Sequence, residues 1–243
     1  MKRSTAFNYI LKFTLCFSLI IGVTVLSASL LSYSIRDTST AILEGATPTV
    51  IVIDAGHGGE DAGAVAHDGT LEKDLNLKIA TLLYALCSLN GNECVMTRDD
   101  DTLLYDRYDD LENYTGKKKL YDLKNRVRIA NEYENAVFVS IHMNNFSSAQ
   151  YSGTQVYFSP NNAKSELLAR VIQGSFRTYL QPSNKRQIKR ATSDIFVLSS
   201  LECVSVLVEC GFLSNEGELA NLKNEKYRLK LSLILFSSVI QTV

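Results

Sequence analysis

The sequence predicts a single α/β domain with a mostly parallel sheet flanked by helices, behind an N-terminal membrane segment. Three observations carry this. Short β-branched apolar runs alternate with stretches of helical periodicity across residues 49–243. No internal repeat interrupts that alternation. An uncharged stretch of 23 residues, 13–35, precedes it. With 46% hydrophobic and 21% charged residues, 3 prolines and 13 glycines, the chain is neither disordered nor collagenous.

Residues 13–35 are long enough to cross a hydrocarbon core of about 30 Å as a helix. Lys2, Arg3 and Lys12 lie before them, which places the N-terminus in the cytoplasm and sends the rest outward. The alternative is a cleaved signal peptide, with Ser27-Ala28-Ser29 as a small-residue cleavage site near residue 29. Both readings put the domain outside the cytoplasmic membrane, either anchored or secreted. Residues 1–36 are thus an anchor or signal segment, 37–48 a polar linker, and 49–243 the domain. Beyond residue 36, 21 basic residues face 26 acidic ones, a net charge of −5. That balance argues against a nucleic-acid partner, which needs a basic face.

Residues 49–53 form a buried strand that stops at Asp54. The Gly- and Asp-rich residues 57–70 form a loop. Leu75, Ile79, Leu82, Leu83 and Leu86 recur at helical spacing until Asn90-Gly91 ends the helix. Residues 93–96 read as a second strand and 99–119 as a long exposed insertion. Leu123, Val127, Ile129 and Ala130 mark a helix, 136–141 a third strand and 153–158 a fourth. A helix over 167–179 buries Leu168, Val171, Ile172 and Phe176. Residues 205–209 form a buried strand, and 216–223 and 225–240 are helical. Cys16 falls in the membrane segment. Cys87, Cys94, Cys203 and Cys210 lack zinc-finger spacing; they read first as free thiols, with disulfides, which export would permit, as the alternative that sequence alone leaves open.

In open α/β sheets, sites gather at the carboxyl ends of strands. Asp54 and His57 follow the first strand, His142 the third, and Glu209 ends the last. The chain has only 3 histidines, and two of them share this edge. Glu72 opens the first helix near the same edge. Two imidazoles and a carboxylate, His57, His142 and Glu72, are the ligand set of one catalytic zinc with an open position. Such an ion lowers the pKa of bound water to about 7 and polarises a carbonyl. Glu209 is the carboxylate left to move protons. Blander readings exist for each. A histidine after a strand can be a hydrogen-bonded loop residue, and Glu72 can favour the helix dipole. His67 lies in the polar loop and reads as exposed. The loop glycines match neither a dinucleotide nor a Walker motif, and H-E-x-x-H and G-x-S-x-G are absent. The chemistry that remains is metal-assisted hydrolysis of an amide or ester.

Several motifs then stand in one order: Ile51-Val-Ile-Asp-Ala-Gly-His-Gly-Gly-Glu-Asp-Ala-Gly-Ala64, Glu72-Lys-Asp-Leu-Asn-Leu77, Thr97-Arg98, Arg126 with Ala130-Asn131, Ser140-Ile-His-Met-Asn144, and Val208-Glu-Cys-Gly-Phe-Leu-Ser-Asn215. Together they resemble the zinc-dependent N-acetylmuramoyl-L-alanine amidases of the amidase-3 type over residues 49–241. The resemblance implies about six strands. It implies cleavage of the amide between N-acetylmuramic acid and the L-alanine of the peptidoglycan stem. By motif position it makes His57, Glu72 and His142 zinc ligands and Glu209 the catalytic carboxylate. Asn144 and Arg126 are candidates to support the ligands. Asn145, Cys210 and Ala66 depart from the usual pattern without removing a ligand.

The lone domain and the segment before the Arg126 helix resemble the sporulation members of that family. This implies a role in forming muramic-δ-lactam in spore cortex, a forespore-envelope location and a lipoprotein activator. Two rivals differ in class. One is a zinc peptidase cutting within the stem, the other a non-catalytic membrane-tethered protein that binds the wall. The basic run Lys185-Arg-Gln-Ile-Lys-Arg190 reads either as a contact for anionic wall polymer or as a solvated loop.

Overall fold

A computed structural model describes residues 48–242. Residues 1–36 and all but the last residue of the 37–48 linker lie outside the described residues, and so does Cys16. No helix among the described residues is long and apolar enough to cross a membrane.

The described chain runs β1 (Val50–Ala55), α1 (Glu72–Leu89), β2 (Glu93–Met96), α2 (Lys118–Asn131), β3 (Ala136–Asn144), β4 (Gln155–Phe158), α3 (Ala163–Tyr179), β5 (Lys189–Arg190), α4 (Phe196–Ser200), β6 (Val204–Phe212), α5 (Glu216–Lys223) and α6 (Glu225–Ile240). The strands form one sheet in the order β2-β1-β3-β6-β4-β5. Every pairing is parallel except β4 with β6. The sheet is therefore mixed: β2, β1, β3 and β6 run parallel from one edge, and β4 and β5 run the opposite way at the other.

Side chains alternate across a strand, so each strand feeds two cores. Ile51, Ile53, Val139, Ile141, Val206 and Val208 pack with Leu75 and Ile79 of α1, Leu168 and Ile172 of α3, and Leu231 and Leu235 of α6. Val50, Val52, Phe138 and Leu207 face the other way, toward Ile129 of α2 and Val197 and Leu198 of α4. Burial on both faces explains why β1 is a continuous apolar run. Three helices start at asparagines whose side chains accept a backbone N–H: Asn162 before α3, Asn215 before α5 and Asn224 before α6. Cys87, Cys94, Cys203 and Cys210 are free thiols.

The structure differs from the sequence-based expectation in two places. Residues 99–119 are not wholly exposed. Leu103 and Leu104 are buried, Leu104 N–H donates to Asp122 Oδ1 at 2.9 Å, and Asn125 Nδ2 donates to Leu104 O at 2.6 Å. These contacts tie the segment to α2, which begins at Lys118 rather than near Leu123. The short β5 and α4 have no counterpart in the sequence pattern. Two and five residues are too few for a periodic signal.

Candidate metal centre and active site

The centre is assembled from the carboxyl ends of β1, β3 and β6 and the first residue of α1. His142 and Glu209 are register partners on β3 and β6, and Gln155 on β4 is the next partner along the same row. Partners in register share a face, which in this row is the α2 side of the sheet.

Glu72 occupies the first turn of α1 and is buried. Its Oε1 lies 2.9 Å from His142 Nδ1 and 3.3 Å from His57 Nε2. Met143 N–H also donates to Oε1 at 3.1 Å, and Ala64 N–H donates to Oε2 at 2.8 Å. Burial alone would raise this carboxyl's pKa, but the hydrogen bonds and charge of His142 and His57 hold it far below the usual range. The two imidazoles meet edge to face, with centroids 4.9 Å apart. His57, Glu72 and His142 each offer a ligand atom within 4.8 Å of the other two. Burial opposes protonation of His57, yet hydrogen bonds and charge from Glu72 and Asp61 raise its pKa.

Two glycines admit this crowding. A Cβ on Gly56 would lie 2.2 Å from His142 Nε2. A Cβ on Gly63, whose φ is +66°, would lie 2.6 Å from Glu72 Oε2. His57 itself holds φ at 61°, a left-handed conformation that costs an L-residue roughly 1 kcal/mol. Its backbone is pinned from below, where Arg126 Nη2 donates to His57 O at 2.8 Å. Arg126 also donates to Ala55 O, to Asp54 Oδ1 at 2.6 Å and to Asp122 Oδ2 at 2.8 Å. Arg98 donates to Ala55 O and Gly56 O. Three successive carbonyls, of the last residue of β1 and the first two of the loop after it, are thus held by two guanidinium groups. Burial would raise the Asp54 carboxyl, but Arg126, Ser140 and Thr97 keep its pKa low.

Sequence reasoning did not single out Asp61. Its Oδ2 meets His57 Nδ1 at 2.9 Å, leaving Nε2 toward Glu72. Its only sequence signal is a carboxylate four residues after a candidate ligand. Asn144, by contrast, makes no hydrogen bond to the three candidate ligands; its carbonyl accepts from Leu213 N–H at 2.8 Å. His67 is exposed and is neither in the cluster of candidate ligands nor in the cavity they open into.

Glu209 lies across the row from His142. Its Oε2 is buried and finds no hydrogen-bond partner. Burial raises its pKa to about 7, with His142 and His57 pulling down and Glu72 pushing up. An orphaned buried carboxylate oxygen is costly unless a ligand or substrate engages it. Glu209, His57 and His142 open into one cavity of about 540 Å³, walled by α2, residues 192–198 and the sheet. Two imidazole nitrogens and a carboxylate oxygen around one point suit a zinc ion. Asp61 on the far nitrogen of His57 is the kind of partner that orients such a ligand.

A family model described as N-acetylmuramoyl-L-alanine amidase matches residues 51–239. The germination-specific N-acetylmuramoyl-L-alanine amidase of Bacillus subtilis is 32% identical over 192 residues, covering 79% of this chain and 78% of that protein. The CwlD amidase of Clostridioides difficile, solved in complex with the GerS lipoprotein, superposes with a TM-score of 0.73. Its identity is 36%, and the match covers 79% of this chain and 97% of that one. The catalytic domain of CwlV from Paenibacillus polymyxa superposes with a TM-score of 0.64 at 30% identity, over 79% of this chain and 97% of that one. With its sheet-edge constellation and this breadth of match, the chain belongs to the N-acetylmuramoyl-L-alanine amidases of the amidase-3 type, hydrolases of peptidoglycan.

Proposed function

We propose that the amidase is zinc-dependent, with His57, Glu72 and His142 as the metal ligands and Glu209 as the catalytic carboxylate. The observation that carries this is the single oxygen of Glu72 facing both imidazoles while Glu209 Oε2 stands unpaired in the same cavity. Bound zinc supplies Lewis acidity toward a carbonyl and makes water a stronger acid. Glu209 accepts the proton of the attacking water as its oxygen adds to the lactyl carbonyl carbon. It returns that proton to the L-alanine nitrogen as the C–N bond breaks. A carboxyl group poised near neutrality can serve in both directions. Asp61 and Arg126 hold His57 in place, one at the ring and one at the backbone.

The products are a muramic acid with a free lactyl carboxylate and a stem peptide with a free amine. Once the sugar loses its N-acetyl group, its amine can condense with that carboxyl group, the acyl C–O bond breaking and water leaving, to give a δ-lactam. A role in spore-cortex maturation is consistent with the germination-specific relative. The GerS complex of the CwlD relative supports a lipoprotein partner for this chain. Residues 13–35 would tether the enzyme to the membrane, facing the wall of the forespore envelope.

Purified enzyme incubated with sacculi tests the reading. Released peptide should begin with L-alanine by mass spectrometry, chelation should stop release, and zinc should restore it. Fragments cut within the stem would instead establish a peptidase. Binding without release would establish a wall-binding protein.

A further inference from the structure

The cavity continues past Glu209 between α2 and residues 192–198. Five carboxylates line it: Asp54, Asp61, Asp122, Asp194 and Glu209. Apart from the two imidazoles, its cationic side chains are Arg126 and Lys119. Arg126 has no N–H to spare. Its Nε donates to Asp122, its Nη1 to Asp54 and Ala55 O, and its Nη2 to His57 O and Asp122. Lys119 stands at the mouth with its side chain 71% exposed. Its one ion pair is a loose 3.5 Å contact with Asp61 Oδ2, an oxygen already engaged by His57 Nδ1. Among the described residues lining the cavity, Lys119 is therefore the cation with donors free for a ligand.

A stem peptide brings carboxylates into this acidic surrounding. The residue after L-alanine can carry either a free carboxylate or a carboxamide. We infer that Lys119 is a specificity residue that pairs with the free carboxylate of the stem residue next to L-alanine. The peptide half of the substrate then lies between α2 and residues 192–198, with the scissile amide at Glu209. This assignment rests on the amidase reading above. The attraction is a charge-assisted hydrogen bond at a cavity mouth, and its loss changes selectivity about tenfold.

The test uses two soluble muramoyl-peptides that differ only in carboxylate or carboxamide at that residue. The readout is the ratio of their kcat/KM values with zinc-loaded enzyme. Wild type should favour the carboxylate form. Lys119→Ala should lower the ratio about tenfold, Lys119→Arg should keep most of it, and Lys124→Ala, on α2 but outside the cavity, should leave it unchanged. The ratio is internal to each preparation, so a change in yield or metal content does not move it. An unaltered ratio in Lys119→Ala, or a wild type active on both forms without preference, overturns the assignment alone. A wild type that cleaves neither form defeats the amidase reading and the assignment with it.

Discussion

His57 Nδ1 and Asp61 Oδ2 lie 2.9 Å apart within one loop, and that contact settles which nitrogen His57 presents to Glu72. Replacing Asp61 by Asn leaves a side chain that can still accept from Nδ1 but carries no charge; replacing it by Ala removes the partner. Zinc affinity should fall about tenfold for Asn and nearer a hundredfold for Ala. Titration against a competing chelator measures both. Equal affinities in all three proteins would show that Asp61 does not orient the ring.

Glu209→Gln should keep its metal and lose turnover by a factor of about 10² to 10⁴, the range attributed to a positioned acid–base group. Elemental analysis of the variant beside a sacculus-release assay separates the two effects. By contrast, His57→Ala combined with His142→Ala should lose both metal and activity.

The raised pKa of Glu209 sets a sign for pH in the chelated protein. The folded state favours the neutral carboxyl, so the advantage is full below the ordinary value of 4.5 and is lost as pH rises through about 7. Relative to Glu209→Gln, chelated wild type should lose about 3 kcal/mol across that window. Denaturant unfolding of both proteins at several pH values gives the difference directly. A wild type that gains stability over the variant as pH rises would reverse the sign and refute burial as the cause of the shift.

Asp54 and Arg126 are joined at 2.6 Å with both side chains 2% exposed. Arg126→Met would leave Asp54 buried with hydroxyl partners only, at a cost of about 3–5 kcal/mol. For a domain of this size the melting temperature should drop roughly 10 °C. Far-UV circular dichroism on heating measures it.

Gly56→Ala should displace His142, because the added methyl would occupy the place of Nε2. Loss of zinc stoichiometry in a folded variant is the expected outcome. Retained metal would mean that the loop and ring shift together.

Much of the fold and all three clustered ligand candidates were legible because each lies on a periodic or strand-ending position. His57 follows the first apolar run, His142 closes the third and Glu209 the last, so one rule about strand ends located these three, while Glu72 was placed by opening a helix near the same edge. Asp61 was not legible, since a loop aspartate among many acids carries no period. Arg126 was marked by its motif, but its partner Asp54 is 72 residues away and no local pattern joins the two. The packing of Leu103 and Leu104 was hidden by the polar residues around them.

The two guanidinium groups that grip Ala55, Gly56 and His57 have one more consequence. The strained turn is shaped by bonds made entirely within the protein. Its ordering entropy is met when the domain folds, so little remains to be met when a cation arrives. Stripping and reloading the proposed ion would then be an exchange upon a standing cradle rather than an act of folding.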